Sequence, residues 1–171
     1  MLTIKRFDKN IFKNITAKTL FNIEKKTMKK ITLDKYYIEP IYEVFLEKSN
    51  FIFLSGKSQI YIALHNEKLI GFILSFYTDP NSADFIPSYV ENYKYYISSL
   101  YIDPNYQNKG IGTKLLKTLI NNLKKTNLDN IYLTVDLNNK NAIAFYLKNN
   151  FLIEKKIDKI QLYLLQFKLN N

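Results

Sequence analysis

Hydrophobic and polar positions along this chain repeat with two periods, and the changes of period mark out its elements. Residues 2–7 alternate loosely and predict a first strand. Over residues 16–28, Leu20, Phe21, Ile23 and Glu24 fit an amphipathic helix, and Pro40 is placed to start a second helix over residues 41–48. Residues 51–54 are apolar without a clear period, and Gly56 punctuates the chain after them. Residues 60–65 and 68–77 read as two strands joined by the short turn Asn66-Glu67. Gly71, inside the second of these, predicts a bulge or a close approach by another group. A long polar loop over residues 78–92 follows, with Pro80 and Pro87 in it. Residues 95–102 are β-prone and stop at Asp103-Pro104. Over residues 110–125 the period becomes helical, with Ile111, Leu115, Leu116, Leu119, Ile120 and Leu123 on one stripe. Residues 131–137 return to alternation, residues 142–148 form a short helix, and two last strands are expected at 151–157 and 161–169. The pattern is that of one α/β domain spanning residues 1–171, with more strands than a strict βαβ alternation supplies.

One stretch stands out, Leu100 to Thr113. It holds two of the chain's four glycines, Gly110 and Gly112, where a strand hands over to a helix. Glycine permits left-handed backbone and close approach, and a helix N-terminus offers unpaired N–H groups with partial positive charge. Together they suit a phosphate-bearing ligand. A tight loop feeding a helix is the plainer reading of the same residues.

Composition changes this picture little. Hydrophobic residues make up 47% of the chain, enough for a packed core. With no cysteine, disulfides and Cys-based zinc sites are ruled out, and no metal site is expected. No apolar run of about 18 residues occurs, nor the apolar run of a signal peptide at the N-terminus, so a soluble cytoplasmic protein is expected. The net charge of +10 invites a nucleic-acid partner, but it is scattered and almost wholly lysine, Arg6 being the single arginine. Nucleic-acid binding is therefore not expected. His65, the only histidine, ends a strand and reads as a turn-flanking residue.

Gln107-Asn-Lys-Gly110-Ile-Gly112 matches the Gln/Arg-x-x-Gly-x-Gly/Ala loop of the GCN5-related N-acetyltransferases, the GNAT family. Leu100-x-Ile102-x-Pro104 before it resembles that family's fourth strand, and Asn139-x-x-Ala142-x-x-Phe145-Tyr146 resembles its second motif. Asn66 to Phe72 looks like the hairpin of its second and third strands. The resemblance covers roughly residues 60–157. It implies a mixed, mostly antiparallel sheet of about seven strands with four helices, acetyl-CoA as donor and an amine as acceptor. By the same resemblance the pyrophosphate would lie on the backbone of Gln107, Asn108, Lys109, Gly110, Ile111, Gly112 and Thr113. Pantetheine would pair with the strand at Leu100, Tyr101 and Ile102, Asn139 would bond the cofactor, and the Leu100 N–H would polarise the thioester carbonyl. Tyr146 would sit at the sulfur and protonate the leaving thiolate as general acid.

Where some members of the family carry a glutamate as base, this chain has Ser98 and Thr134, so a water relay or a carboxylate such as Glu91 would have to serve. Asn150-Phe151 stands where the family usually has Gly-Phe. The expected function is transfer of an acetyl group to a primary amine through a ternary complex, the acceptor being a small molecule. A protein lysine or N-terminal amine, and a coenzyme A-binding module without transferase activity, are the other readings. A homodimer is left open.

Overall fold

Asn66 and Glu67 both take left-handed backbone, with φ of 48° and 64°. That pair of dihedrals is the type I′ signature that matches the twist of two hairpin strands. The turn joins β2 (Ser58–His65) to β3 (Lys68–Tyr77). The computed structural model that supplies this geometry describes residues 1–8, 10–31, 58–78 and 95–169. The helix expected over 41–48, the apolar run 51–54, Gly56, and the loop beyond Thr78 with Glu91 lie outside the described residues.

Before the hairpin come β1 (Leu2–Arg6) and α1 (Ala17–Ile31). After it come β4 (Tyr95–Ile102), a single 3₁₀ turn at Pro104–Tyr106, α2 (Ile111–Leu123), β5 (Asn130–Asp136), α3 (Lys140–Lys148), β6 (Leu152–Ile157) and β7 (Leu162–Lys168). The strands form one seven-stranded sheet in the order β1-β2-β3-β4-β5-β7-β6. β1 runs antiparallel to β2, and β7 antiparallel to both β5 and β6, whereas β4 and β5 are parallel. The mixed sheet expected from the resemblance is thus present, with three α-helices among the described residues.

The chain divides into two compact units, Met1–Ser75 with Ser99–Leu119, and Phe76–Ser98 with Ile120–Asn171. In the first, α1 opens on a reciprocal pair: the Thr16 N–H donates to the Thr19 hydroxyl oxygen (2.9 Å), and the Thr19 N–H donates to that of Thr16 (3.4 Å). This is a capping box with Thr in place of the usual acid at the fourth position. Leu20, Phe21, Ile23 and Thr27 then face inward. Gly71 has no room for a side chain: a Cβ there would lie 2.6 Å from Ile102 Cδ1 and 2.9 Å from the Tyr101 carbonyl oxygen. The close approach expected at this glycine is realised, and β4 is what approaches.

All six residues of the expected α2 stripe are buried. At roughly 1.5–3 kcal/mol for each fully buried large aliphatic side chain, they fix which face of the helix turns inward. In the second unit Ile131, Leu133 and Val135 are the buried face of β5, while Leu137 falls just past the strand's end. No helix among the described residues is long and apolar enough to cross a membrane.

Candidate functional site

The corner between β4 and α2 is held from several sides. Asp103, only 4% exposed, has its carboxylate bonded to the Asn105 N–H (3.0 Å) and paired with Lys26 of α1 (3.4 Å). Its own N–H donates to the Ile70 carbonyl at 2.8 Å, and its carbonyl accepts from the Tyr106 N–H at 2.8 Å. The Ile102 carbonyl accepts both the Thr27 hydroxyl (3.0 Å) and the Gln107 side-chain amide (3.2 Å). Tyr101 donates its hydroxyl to Glu24 at 3.2 Å and packs its ring against Phe72. Three residues of one stretch of α1 therefore grip the last two residues of β4 and Asp103 just after it. Burying a carboxylate is costly unless it is paired and hydrogen-bonded, and Asp103 meets both conditions. Nothing in the motif singled out Lys26, Thr27 or Asp103. The signal available was the acid before Pro104, a residue type that readily caps a following turn.

Beyond the 3₁₀ turn the backbone alternates into left-handed conformations, with φ of 61° at Asn108 and 73° at Gly110. α2 begins at Ile111, and its first regular bond runs from the Lys114 N–H to the Gly110 carbonyl (3.0 Å). The N–H groups of Ile111, Gly112 and Thr113 come before that bond and have no acceptor inside the helix. A Cβ built on Gly110 would meet nothing within 4 Å, so the glycine faces open space. Left-handed residues alternating ahead of a helix N-terminus form a concave set of donors suited to an anion. Lys109 bends back, its Nζ donating to the Asn105 carbonyl (3.3 Å) and lying over the Tyr106 ring. His65 stacks at a tilt on the other neighbour of that loop, the same Tyr106 ring, at 5.5 Å between centroids.

Leu100, Tyr101, Ile102 and Gln107 to Thr113 all belong to the first unit, Asn139 and Tyr146 to the second. Asn139 caps α3, its side-chain oxygen accepting the Ala142 N–H at 3.1 Å. At the other end of α3 the Phe151 N–H reaches the Tyr146 carbonyl (3.1 Å) and the Asn150 N–H the Leu147 carbonyl (3.1 Å). Asn150 is left-handed at φ 66°. This is a Schellman motif, and its usual apolar contact is made by the rings of Tyr146 and Phe151, 5.4 Å apart. Asparagine thus does at this position what glycine would.

Tyr146 is the one residue of α3 that is buried. Burial holds its phenol well above the ordinary range, and the nearby Tyr96 pushes the same way. The group is consequently a proton carrier that stays loaded at neutral pH. Tyr96 is itself buried. Its hydroxyl is 2.6 Å from Thr134 Oγ1 and accepts the Thr134 N–H at 3.2 Å. Ser98 Oγ is buried with no hydrogen-bond partner among the described residues. Neither of the two positions where a base was sought carries an acid; one of them is bound to Tyr96. No cluster of three metal-ligating side chains occurs among the described residues.

The model of the acetyltransferase (GNAT) family matches residues 18–151. The chain belongs to that family. Among curated relatives, the spermine/spermidine N(1)-acetyltransferase of Bacillus subtilis (strain 168) is 36% identical over 76 residues, covering 42% of this chain and 50% of that protein. N-alpha-acetyltransferase 50 of Danio rerio is 44% identical over 63 residues, covering 36% of this chain and 38% of that protein. The chain thus spans half or less of the length of these curated relatives. Among solved structures, the PaiA N-acetyltransferase of Thermoplasma acidophilum in complex with coenzyme A superposes with a TM-score of 0.74 at 21% identity, over 98% of this chain and 99% of that one. At that identity the likeness is one of fold.

Proposed function

We propose that this GNAT-family chain transfers the acetyl group of acetyl-CoA to a primary amine of a small molecule. The observation that carries the donor half is the loop from Gln107 to Thr113. It has left-handed backbone at Asn108 and Gly110, open space at the Gly110 α-carbon and free N–H groups at the start of α2. Acetyl-CoA supplies an acetyl group already activated as a thioester, and its pyrophosphate is an anion of the kind such a loop accepts. Tyr101 and Ile102 offer backbone to the pantetheine arm. The Ile102 carbonyl already receives two donors, the Thr27 hydroxyl and the Gln107 side-chain amide.

Two residues have roles in the chemistry. The Leu100 N–H donates to the thioester carbonyl oxygen and stabilises the negative charge that grows there as the amine attacks. Tyr146 holds the proton that the departing sulfur needs. Burial and the Tyr96 hydroxyl both favour the protonated phenol, so the acid is present before the reaction begins. Asn139 contributes from the cap of α3. The attacking amine must lose its own proton, and with Ser98 and Thr134 at the acid positions a water relay or a carboxylate from elsewhere, such as Glu91, has to take it.

Small amines are favoured by the spermine/spermidine acetyltransferase relative. The N-alpha-acetyltransferase relative favours a second reading, in which the acceptor is the N-terminal amine of a peptide. One experiment separates them. Enzyme and acetyl-CoA are mixed with polyamines, amino acids, aminoglycosides and short peptides, and free thiol is followed. Thiol release with polyamines or another small amine supports the proposal, and release with peptides alone supports the second reading. Melting-temperature elevation by acetyl-CoA with no release from any amine would leave a coenzyme A-binding module.

A further inference from the structure

Hydrogen bonds in the second unit connect Tyr96 to the helix that bears Tyr146. β4 pairs with β5 in parallel at Tyr96 opposite Tyr132. Two residues further along β5, the Thr134 N–H donates to the Tyr96 phenol oxygen (3.2 Å). The same phenol shares a 2.6 Å hydrogen bond with Thr134 Oγ1. One tyrosine thus holds β5 twice, through its backbone and through its hydroxyl. Its ring is fixed in turn against Phe76, 5.9 Å between centroids.

β5 then runs straight into α3. Asp136, its last residue, accepts the Asn138 N–H on its carboxylate (2.7 Å) and the Asn139 N–H on its carbonyl (3.0 Å). Asn139 caps the helix, and the Schellman motif at the far end fixes Tyr146 against Phe151. The path from Thr134 to Tyr146 has a bonded turn, a cap and a closing motif, and no slack segment of unbonded loop. A shift of β5 at Thr134 is therefore carried to the start of α3.

We propose that Tyr96 is a positioning residue for the acetyl transfer, its hydroxyl clamping β5 at Thr134 so that α3 presents Tyr146 in its working place. This rests on the reading of Tyr146 as the acid. Tyr96 touches neither donor nor acceptor in this role; it acts through Thr134. The influence of its hydroxyl on the Tyr146 phenol is consistent with the two being neighbours. The Thr134 hydroxyl matters as the partner of that clamp, not as a substitute for a base.

The test uses the full chain with Tyr96→Phe, Thr134→Val, Thr134→Ser and the double variant Tyr96→Phe/Thr134→Val. For each, kcat and the KM for acetyl-CoA are measured by thiol release, and amide hydrogen exchange is followed at Thr134. Tyr96→Phe is expected to lower kcat by between about tenfold and a hundredfold, the scale of a small misplacement of a catalytic group. The KM for acetyl-CoA should stay within about threefold, since the donor loop is untouched, and the Thr134 amide should exchange faster. Thr134→Ser, which keeps the hydroxyl, should stay close to the parent. The double variant should be no slower than the slower single one, because both remove the same clamp. Unchanged kcat in Tyr96→Phe, or unchanged exchange at Thr134, overturns the proposal, as do multiplying losses in the double variant. Tyr146→Phe run alongside separates the layers. If it turns over normally, the reading of Tyr146 fails; if it is slow while Tyr96→Phe is not, only the clamp fails. Should Tyr96→Phe not fold, Thr134→Val is expected to give the same split between kcat and KM, and an unchanged kcat there overturns the clamp.

Discussion

Replacing Gly110 with alanine tests the anion cradle at a point that faces open space. Gly110 sits at φ 73°, and a methyl group there would touch no other atom of the protein. The stability cost is therefore backbone strain alone, about 1–2 kcal/mol for an L-residue in left-handed conformation. Part of this is offset by the stiffer unfolded chain, worth roughly 0.4–1 kcal/mol. The net is on the order of 1 kcal/mol, and for a chain of this size such a loss lowers the melting temperature by about 2–4 °C. Binding should suffer more than folding. The methyl projects into the open space that the pyrophosphate is proposed to use, and acetyl-CoA affinity should drop at least about tenfold, equivalent to 1.4 kcal/mol. Gly110→Asn supplies the control, because asparagine tolerates left-handed backbone yet fills the same space. It should recover much of the melting temperature and none of the affinity. Calorimetric titration with acetyl-CoA and thermal melts of the apo proteins give both numbers. Affinity within twofold of the parent in both variants would refute the cradle and reduce Gly110 to a turn residue. Affinity recovered in Gly110→Asn would show that backbone conformation, not empty space, is what the ligand needs.

Tyr146→Phe should retain the melting-temperature rise with acetyl-CoA while kcat falls by about 10²- to 10⁴-fold, the range for loss of a general acid; rapid-quench or thiol-release kinetics decide it. Asp103→Asn removes the charge paired with Lys26 and should raise the KM for acetyl-CoA several-fold with little change in kcat, because the donor loop loses its anchor while Tyr146 keeps its place; an unchanged KM would show that the ion pair does not support the loop. Stability should also carry a signature of the buried phenol. The folded-state pKa of Tyr146 is raised above its ordinary 10.0, so its contribution is fully present below pH 10 and is lost as pH rises above it, where the unfolded chain releases the proton first. Melts of the parent between pH 9 and about 11 should slope downward more steeply than those of Tyr146→Phe, and parallel slopes would contradict the assigned burial.

Most of the architecture was legible because the period of the apolar residues is enforced by burial. The α2 stripe and the alternating face of β5 emerged nearly residue for residue, since each side chain on them must leave water. The Asn66-Glu67 turn was equally readable from its spacing. Contacts that depend on two distant segments were not. That Tyr96 would meet Thr134, or that Lys26 and Thr27 would reach Asp103 and Ile102, follows from strand pairing and helix docking, and neither leaves a local pattern. Motif resemblance named Tyr146 and the glycine loop, but it could not say that the Gln107 side chain would turn onto the Ile102 carbonyl.

Gly71 is a place where two strands meet main chain against main chain as well as side chain. A shorter residue at 102 would remove the δ-methyl at 2.6 Å, but the Tyr101 carbonyl oxygen would still lie 2.9 Å from any Cβ added at 71. The dependence therefore runs one way: position 102 can shrink while glycine stays, whereas position 71 cannot grow whatever stands at 102. A library that varies the two jointly should return glycine at 71 throughout. Only a displacement of β4 itself would admit a side chain there, and the corner at Asp103 would move with it.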